Sequence, residues 1–169
     1  TFGLDGNSQG VIEHPLERKY SMPKFYTAWE ILPDGGYLLV EAVSVGFNKQ
    51  EIRMVKYDNA GTVLAECPLP YGMMPALAVC ENYYAVSLAN EILMFDTNLK
   101  NIHKMPYSGE MNELFFCTDG TLYGQNWQGK IVRVDFETQT TTEVLPDDRI
   151  TGFTQLFTNG DPFLYSADK

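Results

Sequence analysis

The two histidines, His14 and His103, are the first candidates for catalysis or metal binding, because an imidazole can exchange protons near neutral pH. His14 directly precedes Pro15, and His103 lies three residues before Pro106. A catalytic or metal-binding histidine needs further polar groups that converge on it, and no Gly-x-Ser-x-Gly motif suggests a nucleophilic serine. The sequence therefore predicts no catalytic residue and no metal ligand.

Carboxylates recur at one place in the chain, where an apolar strand ends and a polar turn begins. They are Asp5, Asp58, Asp96 and Asp135. A recurring acidic ring could bind calcium. An aspartate at the start of a turn also accepts hydrogen bonds from backbone N–H groups of its own turn, and this explains the recurrence without an ion. We favour the turn interpretation, with the calcium ring as its alternative.

The three cysteines are Cys67, Cys80 and Cys117. They are odd in number and form no Cys-x-x-Cys pair, which argues against a disulfide framework and a zinc site. Cys80 and Cys117 each end an apolar segment, where a small side chain suits a packed interior. No cofactor is predicted.

The elements that position these residues repeat along the chain. Three segments have a strand that ends in Asp, a polar turn, and a strand that ends in Pro. The aspartates Asp58, Asp96 and Asp135 are 38 and 39 residues apart. A second marker stands between apolar strands and predicts tight hairpins with positive φ. It comprises Asp34-Gly35-Gly36, Glu81-Asn82, Asp119-Gly120 and Asn159-Gly160.

Four strands in about 40 residues is the pattern of a β-propeller blade, and no segment has sustained helical apolar spacing. We predict an all-β propeller of four four-stranded antiparallel blades. Residues 25–70, 76–106 and 112–146 are the complete blades. Residues 1–16 supply strands C and D of a split blade, and residues 150–169 supply strands A and B. The chain is either a closed four-bladed ring or a segment of a larger propeller.

Residues 90–96, Asn-Glu-Ile-Leu-Met-Phe-Asp, resemble a strand of bacterial propeller repeats of the NHL and YVTN type. Residues 126–135 are a looser copy, and the Trp-Asp dipeptide of WD40 repeats is absent. A fainter similarity is to propeller segments of bacterial cell-surface lipoproteins. These resemblances imply a repeat fold that binds partners at an extracellular or cell-surface location.

The composition of the chain restricts the classes of partner that it can bind. The chain has 169 residues with 22 acidic against 12 basic side chains, a formal charge of −10. Nucleic acid is excluded as a partner because phosphate binding needs a basic face. No apolar run approaches the roughly 20 residues of a membrane helix. A homodimer or further blades would complete the ring if four blades do not close.

Ligands of propellers usually sit on the face that carries the D-to-A and B-to-C loops. The candidate ligand-binding residues on these loops are Phe47, Tyr71, Met73, Met74, Tyr107, Glu110 and Trp127. Aromatic and methionine side chains concentrate contact area for partners, although they could equally pack between blades. We expect a non-catalytic binding or scaffold module for a protein, peptide or small-molecule ligand. The alternative is a propeller hydrolase or lyase whose catalytic residues lie partly outside this chain.

Overall fold

The structure, a computed structural model, describes residues 25–46, 49–70, 75–109, 111–117 and 119–144. These residues form twelve strands and no helix. The strands are β1 (Phe25–Ile31), β2 (Tyr37–Gly46), β3 (Lys49–Tyr57), β4 (Val63–Leu69), β5 (Ala76–Val79), β6 (Tyr83–Leu88), β7 (Glu91–Asp96), β8 (Asn101–Pro106), β9 (Met111–Phe116), β10 (Leu122–Asn126), β11 (Ile131–Asp135) and β12 (Thr140–Glu143). In the described ranges, no helix has the length and apolar character that crossing a membrane requires.

The chain divides into two compact units after Leu69. The first contains sheet 1, in which neighbouring strands pair antiparallel in the order β1-β2-β3-β4. Alternate residues of a strand point to opposite faces, so Leu38 and Val40 of β2 share a face with Met54 of β3. All three are fully buried. The near-continuous apolar composition of β2 fits a strand that is covered on both faces.

The second unit contains sheet 2 (β5-β6-β7-β8) and sheet 3 (β9-β10-β11-β12). Their shared core joins Ala76, Ala78, Ala85, Ile92 and Met105 of sheet 2 to Met111, Leu114, Phe116, Leu122, Val132 and Val134 of sheet 3. Small alanines on one sheet leave room for large side chains on the other. Gly124 contributes in the same way, because a Cβ atom there would lie 2.6 Å from the sulfur of Met111.

A side chain in the β11–β12 turn also joins these two sheets. The Nε2 group of Gln139 donates to the Phe136 carbonyl at 2.8 Å and to the Lys104 carbonyl of β8 at 3.2 Å. The Phe136 ring packs against the core and lies with its centroid 5.7 Å from that of the His103 ring. Sheets 2 and 3 are therefore held together at the turn as well as through their core.

Five hairpin turns share one backbone geometry. They begin at Leu32, Asp58, Asp96, Cys117 and Asn126. The first residue donates its N–H to the carbonyl of the fifth, and the fourth donates its N–H back to the first. The fourth residue has positive φ in every turn: Gly35, Gly61, Leu99, Gly120 and Gly129. Glycine adopts this conformation without steric cost, so four of the five positions need no further explanation.

Leu99 is the exception, with a φ of 63°. A side chain in the left-handed region costs about 1 kcal/mol. Leu99 is nevertheless buried, and burying a leucine side chain stabilises the fold by about 1.5–3 kcal/mol. The apolar contact of this side chain therefore outweighs the backbone strain of its turn.

The predicted all-β class and its four-stranded antiparallel sheets are confirmed over the described residues. The marker turns are confirmed at Gly35 and Gly120, which have positive φ. At Glu81-Asn82 the predicted hairpin between two strands is confirmed, and it closes without positive φ at either residue. The Cys80 N–H donates directly to the Tyr83 carbonyl at 2.9 Å. Asn159-Gly160 and both halves of the split blade lie outside the described residues.

Candidate functional site

The predicted loop face corresponds in the second unit to one edge of sheets 2 and 3, which we call the Trp127 edge. It comprises the β6–β7 and β10–β11 turns and the connection from β8 to β9. Two of the seven candidate residues, Tyr107 and Trp127, lie on it. The other five, Phe47, Tyr71, Met73, Met74 and Glu110, lie outside the described residues.

Trp127 is the second residue of the rigid β10–β11 turn. The side-chain oxygen of Asn126 accepts hydrogen bonds from the backbone N–H groups of Gln128 and Lys130, both at 3.0 Å. Gly129 provides the positive φ of 78° that closes the turn. The indole is 55% exposed on this fixed support. An exposed aromatic side chain on an ordered backbone loses little conformational entropy when a partner covers it.

Tyr107 has a different environment. Its N–H donates to the Asn90 carbonyl at 2.9 Å, which ties the β8–β9 connection to the β6–β7 turn. The half-buried ring packs against the core of sheets 2 and 3, and its burial raises the pKa of Tyr107. A Cβ atom on Gly109 would lie 2.9 Å from the ring. Tyr107 therefore joins the Trp127 edge to the core of sheets 2 and 3, while Trp127 is exposed to solvent.

The same connection brings the two residues towards a common edge. The segment that starts at Tyr107 leads directly into β9, whose first residue, Met111, pairs with Asn126 of β10. Asn126 immediately precedes Trp127. The β8–β9 connection and the β10–β11 turn thus end at the same position of sheet 3.

The opposite edge of the sheets carries the recurring carboxylates, and the structure agrees with their interpretation as turn caps. Asp58 accepts N–H groups from Ala60 at 2.9 Å and Thr62 at 2.7 Å. Asp96 caps Asn98 and Lys100 in the same way. Backbone hydrogen bonds, chiefly from the Thr62 N–H, lower the pKa of Asp58. The pKa values of Asp119 and Asp135 are lowered similarly, led by the N–H groups of Thr121 and Thr138.

Groups with potential catalytic or metal-binding chemistry do not converge among the described residues. His103 is exposed on β8, the outer strand of sheet 2, beside Phe136. Among the described residues, no three His, Cys, Asp or Glu side chains form a group that could hold a metal ion. Cys67 is half-buried on β4, and burial raises the pKa of its thiol to about 11. His14 lies outside the described residues.

Sequence reasoning missed a polar cluster inside sheet 1. The Glu41 side chain is 0% exposed, and its Oε2 atom lies 3.4 Å from Nε of Arg53 on the facing strand. The Tyr57 hydroxyl donates to the other Glu41 oxygen at 3.1 Å, and the Tyr57 ring stacks on Tyr37 at 4.8 Å. Arg53 also reaches the exposed Glu66 carboxylate at 3.1 Å. The available signal was Glu41, the one charged residue of the otherwise largely apolar strand β2.

A second missed pattern is a repeated ion pair between the third and fourth strand of every described sheet. The pairs are Arg53–Glu66, Glu91–Lys104 and Lys130–Glu143. The partners are 13 residues apart in each pair, and the sign is reversed in sheet 2. This spacing could have been found in the sequence, because it recurs with the same period as the turn aspartates.

No protein-family model matches the chain, and no curated protein matches it. The crystal structure of a protein of unknown function from Bacteroides caccae is similar, with 17% identity and a TM-score of 0.55. That match covers 79% of this chain and 50% of the other. The WD40 domain of Neurospora crassa Pan2 is similar at 12% identity and a TM-score of 0.51, over 68% of this chain and 34% of that chain.

The chain thus spans half the length of the Bacteroides caccae protein and about a third of the Pan2 domain. At these identities the similarity concerns the fold. Together with the three four-stranded antiparallel sheets, it identifies a propeller-like fold, as predicted. The similarity does not identify an NHL or YVTN family.

Proposed function

We propose that this chain is a non-catalytic binding module that presents the Trp127 edge to a protein, peptide or small-molecule ligand. The observation that carries the proposal is an indole that is 55% exposed on a turn fixed by two side-chain hydrogen bonds. Propeller-like folds provide a rigid scaffold whose loops carry binding residues. Tryptophan is also among the side chains that contribute most to binding when a partner buries them.

Two ion pairs lie beside the turns of this edge: Lys130 contacts Glu143 at 2.9 Å, and Glu91 contacts Lys104. Burial of the exposed Trp127 side chain by a partner removes apolar surface from water and thereby favours binding.

The proposal includes no chemical turnover. His103 is exposed on an outer strand with an aromatic ring as its described neighbour, which is a poor setting for a general base. A bacterial NHL- or YVTN-like family and a cell-surface location, implied by the repeat resemblance, belong to the same proposal.

Trp29 and Trp127 are the only tryptophans in the chain, so each gives one indole N–H resonance in a protein NMR spectrum. We would select binders to the whole chain from a displayed peptide library and from a small-molecule fragment library. Binders at the proposed site should shift the Trp127 resonance and leave that of Trp29 unchanged. Trp127→Phe and Trp29→Phe variants assign the two signals.

Trp127→Ala should weaken such binders by at least about tenfold, equivalent to about 1.4 kcal/mol, and leave the free energy of unfolding within about 0.5 kcal/mol of wild type. Trp29→Ala is the matched control because that indole is also exposed. Binders that shift only Trp29, or that tolerate Trp127→Ala, would place the binding site elsewhere.

A further inference from the structure

One face of sheet 1 has an apolar part that is incompletely covered, beside the buried Glu41–Arg53 pair on the same face. We call it the Trp29 face, and it is defined by Trp29 and Ile31 of β1, Tyr37 and Leu39 of β2, Val55 and Tyr57 of β3, and Val63 of β4. The strand pairing places these residues on one side of the sheet. Trp29 and Ile31 are 63% and 64% exposed. Two large apolar side chains on one strand indicate a surface that another element covers.

Sheet 3 identifies the kind of element. The repeat aligns Tyr57 with Val134, since each precedes the aspartate of its turn, and the pairings then align Trp29 with Leu114 and Ile31 with Phe116. Leu114 and Phe116 are each only 7% exposed, because sheet 2 covers them. The Trp29 face is thus the counterpart of a face that receives a neighbouring four-stranded sheet.

The interface between sheets 2 and 3 also shows which strands of the covering sheet contact which elements of the covered sheet. The outer strands β7 and β8 of sheet 2 supply Ile92 and Met105 to the core that the two sheets share. The β8 strand also contacts the β11–β12 turn through Lys104 and His103. Strand D of a covering blade therefore contacts the turn that follows strand C.

A segment of this chain has the sequence of such outer strands. Asp5 and Pro15 are ten residues apart, as are Asp96 and Pro106, which bound the turn and outer strand of sheet 2. The alignment matches Ile12 with His103 and Glu13 with Lys104. These residues would then lie over the outer part of the Trp29 face, near Val63.

We propose that residues 1–16 dock on the outer part of the Trp29 face as strands C and D of a further blade. The alignment places Ile12 at the position of His103, which contacts the turn after strand C of sheet 3. Val63, which directly follows the equivalent turn of sheet 1, is 39% exposed. The apolar face of sheet 1 is in this view a blade–blade interface, distinct from the Trp127 edge. The inference is independent of the proposed binding function.

Hydrogen–deuterium exchange on the whole chain, read by mass spectrometry, tests the proposal. Backbone amides of residues 1–16 should exchange at least about tenfold more slowly than in the same segment as a free peptide, because sheet hydrogen bonds protect them. Val63→Asp should return them to the rate of the free peptide. Ile102→Asp is the control, since Ile102 is a similarly exposed apolar residue on the fourth strand of sheet 2. It should leave the segment protected.

The same spectra report on β1–β4, so a variant that fails to fold is recognised and replaced by the milder Val63→Thr. Free-peptide exchange rates for residues 1–16 in the wild-type chain would overturn the proposal. So would equal responses of that segment to Val63→Asp and Ile102→Asp in folded protein. Protection that falls on dilution would instead assign the occupant to a second copy of the chain, and would equally overturn it.

Discussion

Sheets 1 and 3 have the same four-stranded order, but a charged side chain that is largely buried in sheet 1 is exposed at the equivalent position of sheet 3. Five residues before its turn aspartate, sheet 1 has Arg53, which is largely buried against a fully buried Glu41. Sheet 3 has Lys130 at the same position, in an exposed pair with Glu143. The repeat thus determines where strands and turns lie, while the contribution of each charged residue depends on what covers it.

The largest expected effect concerns these two cations. Arg53→Met should lower the free energy of unfolding by about 3–5 kcal/mol, because it leaves the Glu41 carboxylate buried without its cation. Lys130→Met is the matched control and should cost less than about 1 kcal/mol, since exposed pairs contribute little. Urea denaturation measures both.

A double variant, Glu41→Leu with Arg53→Met, sharpens this comparison. It removes the buried charge together with its partner and should recover most of the loss of Arg53→Met. Equal costs for the single and double variants would mean that packing, and not the unpaired charge, explains the result.

The second expected effect compares equivalent turns of sheets 1 and 2, in which Gly61 and Leu99 have positive φ. Leu99→Ala should destabilise the chain by about 2–5 kcal/mol through lost burial. Leu99→Gly should be about 1 kcal/mol less damaging than Leu99→Ala, because glycine relieves the backbone strain. Gly61→Ala should cost about 1 kcal/mol for the same reason.

Thermal or urea unfolding of the three variants provides the measurement. The order of Leu99→Gly and Leu99→Ala is the informative result, since both remove nearly the same apolar contact. If the glycine variant is the less stable of the two, strain at position 99 is not a significant part of the energetics.

The smallest expected effect concerns the turn carboxylates and pH. Hydrogen bonds lower the pKa of Asp58 in the folded chain below its unfolded value of about 3.9. Its contribution to stability is therefore present above that value and is lost as the pH falls through the folded pKa. Asp58→Asn keeps the cap, as Asn126 does naturally, but cannot titrate.

Urea midpoints measured from about pH 6 to about pH 2.5 should therefore fall less steeply for Asp58→Asn than for wild type. Asp58→Ala, which loses the cap, should be the least stable variant at neutral pH. Parallel pH profiles for wild type and Asp58→Asn would show that this carboxylate does not contribute to acid unfolding.

The strands and capped turns could be predicted because their determinants are local: apolar alternation, a turn aspartate, and glycine four residues into the turn. Leu99 was not recognised, because leucine rarely adopts positive φ and only its burial makes the conformation favourable. The Glu41–Arg53 contact needs the β2–β3 register, which the sequence pattern did not specify. Tyr107 was predicted as a ligand contact with packing between blades as the alternative, and the sequence could not show that its ring packs against the core of sheets 2 and 3.

The ion pairs that recur every blade, with their sign reversed in sheet 2, have a consequence for folding. A chain of similar hairpins risks exchanging outer strands between neighbouring repeats before each sheet is complete. If β3 took β8 as its partner, Arg53 would meet Lys104, and β7 with β4 would bring Glu91 to Glu66. Sheets 2 and 3 repel wrong partners by the same alternation. Charges that add little to the finished structure thus disfavour the exchange of outer strands between sheets that are consecutive in the chain.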